Sequence, residues 1–345
     1  MKQINWGIIG LGAIAFKFAK GFKFSDKAKL LAIASKDSSK LKKFQEEFNI
    51  DNNYCFNNYE SLLKNNNIDI IYIALPTSFH HEWISKCLEK GKKVLVEKPA
   101  TMNSSEIIDI KKNYFDKEIF FSEAFMYMYH PQIKKTVELI NEGEIGKLIS
   151  MESSFGTDIL TKKNFFGLKK KKRLNPENRI FNKKLGGGAI LDLGCYPVSF
   201  STLIASQISK INYDKVKVLN KKKEIGSTDV DLDSYMELCF ENNFISKVSA
   251  SFTKNLGKKS KIIGTKGELD IKDTWLADPA IISIKNDSIK EVKISSNQNI
   301  YSYEIDVMSQ CILNDKKKTD FPGSTIDDII GNMKILDKWL NLNEK

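Results

Sequence analysis

The stretch WGIIGLGAIA, residues 6–15, links an apolar run to a glycine turn and then to a helical pattern. Gly10 permits a tight turn, Gly12 lets a ligand phosphate approach the backbone, and the small Ala15 lets helix and strand pack closely. The helix N-terminus offers unpaired N–H groups and a favourable dipole to a pyrophosphate. The pattern therefore predicts dinucleotide binding rather than a glycine turn of purely structural purpose. The turn residues predicted to bind the cofactor are Gly10, Gly12, Ala13 and Ile14.

Strand-like runs and helical periods alternate through the first part of the chain. The predicted strands are 6–9, 29–34, 68–75, 94–96 and 119–121, and the predicted helices are 13–22, 38–48, 81–90 and 104–113. Near-continuous apolar strands separated by helices indicate a parallel sheet that is covered on both faces. We therefore predict an α/β fold whose N-terminal domain, residues 1–122, is a Rossmann-type, doubly wound parallel sheet.

After about residue 122 the strand-like segments follow one another and are joined by short turns. Short turns imply that neighbouring strands are antiparallel. The predicted strands are 148–155, 216–219, 234–240, 244–252, 261–264 and 268–271, and they are followed by predicted helices at 303–313 and 324–340. We predict a C-terminal α+β domain, residues 123–345, with a large, open and mainly antiparallel sheet.

The composition argues against a nucleic-acid partner in spite of the net charge of +11. Among 54 Lys and Arg residues only Arg173 and Arg179 are arginine, whereas nucleic-acid readers favour the planar fork of arginine. The run KKKKR, residues 169–173, is predicted to be a solvated loop. No apolar stretch approaches the roughly 20 residues that span a bilayer, so no membrane partner is expected.

Cysteine and histidine usage bears on compartment and metal binding. The five cysteines lie far apart and include no CxxC pair, which favours neither a zinc site nor a disulfide framework. A reducing cytoplasm is therefore the predicted compartment. The three histidines have no convergent acid spacing, so no metal site is predicted. Cys195 has no histidine partner placed by the sequence and is predicted to be a small buried thiol.

The end of the second predicted strand bears on which dinucleotide binds. An acid at this point usually binds the ribose 2′-OH, whereas this chain has Ser35-Lys36. A hydroxyl and an ammonium suit a 2′-phosphate, which a carboxylate would repel. Asp37 lies close by, but it precedes the predicted helix 38–48 and is interpreted as its N-cap. We predict NADP as the cofactor, and NAD is the open alternative.

The residues Glu97-Lys98-Pro99 directly follow the predicted buried strand 94–96. Ligands of a doubly wound sheet bind beyond the carboxyl ends of its strands, so the Lys98 ammonium is predicted to lie over the cleft where a nicotinamide would rest. Pro99 restrains the backbone of the residue before it, and hence the direction in which Lys98 points. The alternative is a surface lysine beside a turn.

The stretch LGGGAILDLGCYPVSF, residues 185–200, combines a glycine run with polar side chains on a largely apolar helix. The glycines at 186–188 let the first turn approach a ligand or a neighbouring backbone. Asp192 and Tyr196 are four residues apart and therefore share one helix face. Pro197 removes a backbone donor and is expected to bend the helix. An acid and a phenol here indicate a site; the alternative is that Asp192 caps local amides and Tyr196 is a core residue.

Six motifs are spread over nearly the full length: WGIIGLGAIA, ALPTSFHHEW, GKKVLVEKPA, EAFMYMYHPQ, GEIGK and FNKKLGGGAILDLGCYPV. Together they resemble the glucose-fructose oxidoreductase / inositol dehydrogenase / rhizopine catabolism family (Gfo/Idh/MocA). The last motif and EAFMY are similar to the branch containing dimeric dihydrodiol dehydrogenase and D-xylose dehydrogenase. The resemblance implies an NAD(P)-dependent dehydrogenase or reductase that acts on CH–OH groups.

The resemblance also implies roles for individual residues. Lys98 would orient the substrate and assist proton transfer, and Tyr196 would occupy the acid/base position. Asp192 would orient the substrate hydroxyl or the lysine. Besides the glycine turn and Ser35-Lys36, the residues expected to contact the cofactor are Leu75, Pro76, Thr77, His80, Glu97 and Lys98.

One position departs from the pattern of the branch. Met128 stands where arginine is typical, so a substrate anchor supplied there is absent. Arg179, in the approach to the glycine run, is the candidate substitute, and a solvated loop arginine is the alternative. Tyr127, beside Met128, is a further candidate for substrate binding.

The predicted function is hydride transfer between NADP and a hydroxyl or carbonyl carbon of a sugar, polyol or dihydrodiol. Two alternatives stay open: a dehydrogenase for a nucleotide-linked or cell-surface sugar, and a non-catalytic NADP-binding regulator. The intact Lys98 and Tyr196 favour catalysis over regulation. The open C-terminal sheet resembles one that relatives use to pair subunits, so a homodimer or homotetramer is expected.

Overall fold

The computed structural model describes residues 2–163, 169–296 and 299–340. The chain divides into two compact units. The first unit consists of Met1–His130 and Asn297–Ile330, and the second unit consists of Pro131–Ser296 and Gly331–Lys345. The predicted domains, 1–122 and 123–345, follow the change in sequence pattern, whereas contacts group Asn297–Ile330 with the N-terminal residues. A segment that is remote in sequence can belong to the first unit, because a unit is defined by its packing contacts and not by chain order.

The first unit contains a six-stranded sheet in the order β3-β2-β1-β4-β5-β6, and each neighbouring pair is parallel. Its strands are β1 Ile4–Ile9, β2 Ala28–Ala34, β3 Cys55–Phe56, β4 Ile70–Ile73, β5 Lys93–Glu97 and β6 Phe121–Ala124. The helices within this part of the chain are α1 Ala13–Ala19, α2 Ser38–Phe48, α3 Tyr59–Leu63, α4 His80–Glu89 and α5 Ser104–Tyr114. The predicted doubly wound parallel sheet is confirmed.

The strands of the first unit are apolar because helices and aromatic side chains cover the sheet. All four residues of β4 are buried. On one face, Phe18 of α1 stacks on Tyr72 of β4 with ring centroids 3.9 Å apart. Trp6 of β1 is fully buried, and its indole Nε1 donates a 3.0 Å hydrogen bond to Ser309 Oγ. Asn297–Ile330 is thus tied to the first strand by a buried polar contact.

The second unit contains an eight-stranded sheet in the order β10-β11-β12-β7-β13-β14-β15-β16 and a separate pair, β8-β9. Its strands are β7 Leu148–Gly156, β8 Thr161–Lys163, β9 Lys169–Lys171, β10 Lys217–Ile225, β11 Asp231–Cys239, β12 Ile245–Ser251, β13 Ser260–Gly264, β14 Gly267–Ile271, β15 Ile281–Lys285 and β16 Ile289–Lys293. Its helices are α6 Pro131–Asn141 and α7 Cys195–Ala205. Only the β12–β7 pair is parallel, so the predicted mainly antiparallel sheet is confirmed.

One face of the eight-stranded sheet is covered and the other is open. Along β11 buried and partly exposed residues alternate, which is typical of a sheet with one covered face. The open face carries ion pairs between neighbouring strands, among them Lys261–Glu268 at 3.1 Å and Lys247–Glu152 at 3.3 Å. Homo-oligomerisation through this sheet stays a prediction.

Two helices near the C-terminus are α8 Ile300–Leu313 and α9 Ile326–Leu340, close to the predicted bounds. The prediction of a loop at 169–173 is wrong for its first three residues. Lys169–Lys171 forms β9 and pairs antiparallel with β8. A run of lysines has no apolar periodicity, so no strand was predicted there. The strand forms because pairing with β8 supplies its backbone hydrogen bonds.

Among the described residues one helical stretch, Lys183–Ala205, is long and apolar enough to cross a membrane. This differs from the expectation that no such stretch exists. However, 89% of its apolar window is buried inside the structure, as in the core helix of a globular unit.

Candidate active site

The glycine turn follows β1 and contains two glycines with different environments. Gly10 has a φ of +88°, and a Cβ added there would lie 2.6 Å from the carbonyl oxygen of Ala74. Gly10 is therefore required by the backbone itself. Gly12 has a φ of −85°, and a Cβ added there would meet nothing within 4 Å. The protein does not fill the space beside Gly12, which fits the approach of a ligand to this backbone.

The first turn of α1 is open to an anion. Gly12 is the N-cap, no side chain caps the helix, and no acidic residue lies in the first turn. Backbone N–H groups at a helix start have no intrahelical partner and favour negative charge. The predicted binders Ala13 and Ile14 lie in this turn, so the residues present fit a dinucleotide pyrophosphate.

The end of β2 leads into the predicted 2′-phosphate residues. Ser35 is buried, and its hydroxyl accepts a 3.1 Å hydrogen bond from the Asp37 N–H. The Asp37 carboxylate accepts from the N–H groups of Ser39 and Lys40, so its assignment as the N-cap of α2 is confirmed. The Ser39 hydroxyl also donates to this carboxylate. Its hydrogen bond is the largest cause that lowers the pKa of Asp37, and the N–H groups add to it. Lys36 is exposed, with its ammonium 5.7 Å from the centroid of the Tyr59 ring.

The segments after β4 and β5 are linked by His80, the first residue of α4. Its Nε2 lies 2.9 Å from the carbonyl oxygen of Leu75, and its Nδ1 lies 3.0 Å from that of Pro99. His80 and Thr77 are buried, and Pro76 is the N-cap of the turn between them. A neutral imidazole carries one N–H, so it donates to one of these carbonyls at a time. The His80 ring thus connects the segment after β4 with the segment after β5, and both are predicted to contact the cofactor.

Parallel pairing brings three predicted site segments to one edge of the sheet. β4 pairs with β1 on one side and with β5 on the other. Gly10, Leu75 and Lys98 each follow the carboxyl end of one of these strands. Lys98 lies between the strand and Pro99, and the Lys98–Pro99 peptide bond is cis.

Glu97 is the buried last residue of β5, and it accepts a hydrogen bond from the hydroxyl of Tyr72. Burial, and then the nearby Glu97, raise the pKa of Tyr72 well above its usual value. The sequence reasoning missed Tyr72. A tyrosine within an otherwise aliphatic strand was the available signal, because a buried phenol needs a hydrogen-bond partner.

The helix of residues 185–200 is not one regular α-helix. Ile190–Gly194 is π-helical, and α7 begins at Cys195. Asp192 lies in the π-helical part and Tyr196 in the first turn of α7. This irregularity was not predicted. It lies before Pro197, whose missing N–H falls within the first turn of α7, and the bend expected at Pro197 stays a prediction. π-Helical turns occur frequently at functional sites.

Asp192 is paired with Arg179. The Arg179 Nη2 donates to the Asp192 Oδ1 at 2.9 Å, and the Asp192 side chain is 15% exposed. The two predicted site residues are thus brought together. The role of Arg179 as a substitute substrate anchor stays a prediction, because its side chain pairs with Asp192 and is still 41% exposed.

The glycine run before this helix packs against protein. A Cβ added at Gly187 would lie 2.7 Å from the carbonyl oxygens of Arg179 and Ile180, and one added at Gly188, where φ is +115°, would collide with the Asp231 carboxylate. The buried Asp231 accepts a 2.7 Å hydrogen bond from the Ile190 N–H. Burial raises the pKa of Asp231. Of the two alternatives that the sequence left open, a ligand or a neighbouring backbone, the backbone accounts for Gly187, whereas the Asp231 side chain and a positive φ account for Gly188.

Aromatic rings surround Tyr196. Its ring centroid lies 5.2 Å from that of Phe155 and 5.6 Å from that of Trp275. The fully buried Trp275 donates from Nε1 to the Ser154 carbonyl at 2.9 Å, which fixes the aromatic cluster on β7. Tyr196 is 6% exposed. Cys195 is a buried thiol outside any disulfide, so its prediction as a buried thiol is confirmed.

Tyr127 and Met128 are both buried in the structure. Ser324 Oγ donates to the Met128 sulfur at 3.7 Å, so the residue that replaces the branch's arginine is held as a packing residue. Substrate binding by Tyr127 stays a prediction. Within the described part of the chain, no group of three or more His, Cys, Asp or Glu side chains could hold a metal ion.

Comparisons with known proteins identify the family. Residues 4–123 match the model of the Gfo/Idh/MocA oxidoreductase family with an NAD-binding Rossmann fold, and residues 133–270 match the C-terminal domain of the same family. The chain belongs to the Gfo/Idh/MocA oxidoreductase family. The predicted family and the predicted nicotinamide-dinucleotide fold are confirmed.

Two curated relatives match most of the chain. Trans-1,2-dihydrobenzene-1,2-diol dehydrogenase of Xenopus tropicalis is 27% identical over 324 residues, covering 91% of each chain. D-xylose 1-dehydrogenase (NADP(+)) 2 of Haloferax volcanii is 26% identical over 280 residues, covering 79% of this chain and 77% of that protein. Both names fall in the predicted branch.

A solved structure has the same fold. A 3-ketoreductase from Actinomadura kijaniata in complex with NADP and TDP-benzene superimposes with a TM-score of 0.81 at 21% identity, covering 97% of this chain and 96% of that one. Solved variants of that ketoreductase include replacement of a tyrosine by phenylalanine and of a lysine by alanine or glutamate.

We expect the two glycines of the first turn to respond differently to alanine. Gly10→Ala should lower the free energy of unfolding by roughly 1–3 kcal/mol, because an L side chain is strained at positive φ and meets a carbonyl. Gly12→Ala should change it by less than about 0.5 kcal/mol and yet weaken dinucleotide binding. Urea unfolding and fluorescence titration with NADP measure the two effects. Equal destabilisation by both substitutions would mean that Gly12 serves packing.

Proposed function

We propose that the protein is an NADP-dependent oxidoreductase that transfers a hydride between the nicotinamide and a hydroxyl or carbonyl carbon of a sugar, polyol or dihydrodiol. The observation that carries the proposal is the position of Lys98, directly after β5 at the sheet edge that also holds the glycine turn. Ligands of doubly wound sheets bind at this edge. The names of the relatives, a dihydrodiol dehydrogenase and a D-xylose dehydrogenase, support the substrate class.

The end of β2 supports NADP over NAD. The Asp37 carboxylate is engaged as the N-cap of α2, so it is less available to a ribose 2′-OH. Lys36 is exposed beside it and supplies a positive charge for a 2′-phosphate. The D-xylose dehydrogenase of Haloferax volcanii is named as NADP(+)-dependent, and the 3-ketoreductase was solved with NADP.

The proposed chemistry assigns proton transfer to Tyr196 and its tuning to Lys98. When bound, the nicotinamide supplies the hydride acceptor at its C4. A free phenol titrates near pH ~10 and is a poor base at neutral pH. A nearby ammonium stabilises phenolate, and we assign that role to Lys98. Tyr196 then accepts the proton of the substrate hydroxyl, and in the reverse direction it donates a proton to the carbonyl oxygen.

Asp192 and Arg179 act together in the proposal. The carboxylate is held by the guanidinium at 2.9 Å, which fixes its direction. With its second oxygen Asp192 can accept a hydrogen bond from a substrate hydroxyl, and Arg179, whose side chain is 41% exposed, can donate to a substrate oxygen. Arg179 thereby supplies a cation in place of the arginine that Met128 replaces.

Replacing Lys98 by Met, or Tyr196 by Phe, should lower kcat by about 10²–10⁴-fold, the usual contribution of acid–base catalysis. Lys93→Met and Tyr54→Phe are matched controls outside the proposed site and should keep turnover near wild type. Absorbance of reduced nicotinamide measures turnover, and NADP binding checks that each variant is folded. Near-normal rates in both site variants would end the assignment.

Lys36→Ala should raise the KM for NADP by roughly 10- to 150-fold, since a charge-assisted contact to a phosphate contributes on the order of 1.5–3 kcal/mol. The KM for NAD should change little, because NAD lacks the 2′-phosphate. Lys42→Ala, further along α2 and paired with Glu46 instead of Asp37, is the control for a general loss of positive charge. If wild-type protein turns over with NAD alone, the preference for NADP is refuted.

A substrate panel separates the proposal from its alternatives. A relative named dTDP-3,4-didehydro-2,6-dideoxy-alpha-D-glucose 3-reductase, from Actinomadura kijaniata and 30% identical over 197 residues, is the observation that favours a nucleotide-linked sugar. We expect turnover with free aldoses, polyols or trans-dihydrodiols and NADP. Turnover restricted to nucleotide-linked sugars would select that alternative. NADP binding with no turnover on the whole panel would favour the non-catalytic regulator.

A further inference from the structure

A buried carboxyl group lies beside the segment that carries Lys98. Glu123 belongs to β6 and is 4% exposed. In the parallel pairing of β5 and β6, Val96 is opposite Glu123 and Glu97 is opposite Ala124. Glu123 therefore lies level with the last residues of β5, just before the chain turns into Lys98.

The two oxygens of Glu123 have different environments. Its Oε1 accepts a 2.8 Å hydrogen bond from the N–H of Ala100, two residues after Lys98. Its Oε2 is buried and has no hydrogen-bond partner within residues 2–163, 169–296 and 299–340. A buried carboxyl oxygen without a partner is costly when the group is ionised. Oε1 anchors the segment that contains Ala100. Packing does not explain why Oε2 is buried without a partner.

We propose that Glu123 is a positioning residue for Lys98. It anchors the segment after Lys98 through Ala100. As a neutral acid it leaves the Lys98 ammonium directed to the cleft, whereas as a carboxylate it draws the ammonium inward. The inference rests on the proposed catalytic role of Lys98. Glu123 itself touches neither substrate nor cofactor in this scheme.

The charges around Glu123 fit this role. Burial raises the pKa of Glu123 to about 8, the Ala100 N–H opposes this shift, Glu97 adds to it, and the Lys98 ammonium lowers the pKa. Glu123 is therefore mostly neutral at pH 7 and ionises just above it.

Three further groups, Glu304, Tyr72 and Tyr301, interact with the neighbouring Glu97. Glu304 on α8 is buried, and its pKa is raised first by burial and then by Glu97. Tyr72 on β4 donates its hydroxyl to Glu97. Among the groups that set the pKa of Glu123, Lys98 is the one positive side chain.

Carboxyl ¹³C NMR of protein labelled at the glutamate side chains tests the coupling without any turnover. The Glu123 signal, assigned by its loss in Glu123→Gln, should titrate near pH 8 in wild-type protein. In Lys98→Met, which keeps every glutamate, the midpoint should rise by about 1 pH unit or more, because the stabilising charge is gone. An unchanged midpoint would overturn the inference even if Lys98→Met is inactive. An active Lys98→Met would instead refute the proposed function.

The pH profile of kcat/KM for alcohol oxidation tests the consequence. In wild type it should fall about tenfold per pH unit above the Glu123 midpoint, as expected for one ionisation. Glu123→Gln keeps an acceptor for the Ala100 N–H but has no charge to gain, so this fall should disappear. Glu304→Gln replaces another buried acid and should keep the fall. The same alkaline fall in Glu123→Gln would refute the role of Glu123.

Discussion

Parallel pairing of β4 with β1 on one side and β5 on the other determines where the chemistry of the first unit lies. Parallel neighbours end at the same sheet edge, so Gly10, Leu75 and Lys98 are brought together although up to 88 residues separate them in sequence. Two local contacts keep the edge in place. The backbone of Gly10 runs against the carbonyl of Ala74, and the His80 ring spans the carbonyls of Leu75 and Pro99. The segment that carries Lys98, the proposed catalytic lysine, is thus held by the same framework as the glycine turn.

The two glycine-rich stretches, residues 10–12 and 186–188, look alike in sequence. The physical reason why glycine is needed differs between them. Gly187 and Gly188 face carbonyl and carboxylate oxygens of the second unit, so any side chain there would collide with protein. Gly12 faces open space at a φ that alanine can adopt. A glycine that neither the backbone nor the packing requires is best explained by a ligand. The contrast separates a cofactor turn from a packing turn without reference to any relative.

Much of the fold could be predicted from the sequence because apolar periodicity and glycine turns are local signals. The bounds of α2 and the cap by Asp37 followed from adjacent residues. By contrast, the pair Arg179–Asp192 joins residues 13 apart, and the pair Tyr72–Glu97 joins residues 25 apart on neighbouring strands. Such pairs depend on tertiary packing, which periodicity does not encode. The π-helical turn at Ile190–Gly194 was missed for the same reason, since Asp231 from a distant strand engages its first N–H.

Glu97, the acid at the end of the buried strand β5, is explained in part by its hydrogen-bond partner and in part by the carboxyl groups near it. Glu97 accepts the Tyr72 hydroxyl, which compensates its burial. Glu123 and Glu304 are buried as well, and burial raises the pKa of both, that of Glu123 to about 8. Three ionised carboxylates would neutralise the nearby ammonium and repel one another. A carboxyl group that keeps its proton leaves more of the Lys98 charge uncompensated. In the proposed function this charge stabilises the phenolate of the acid–base residue.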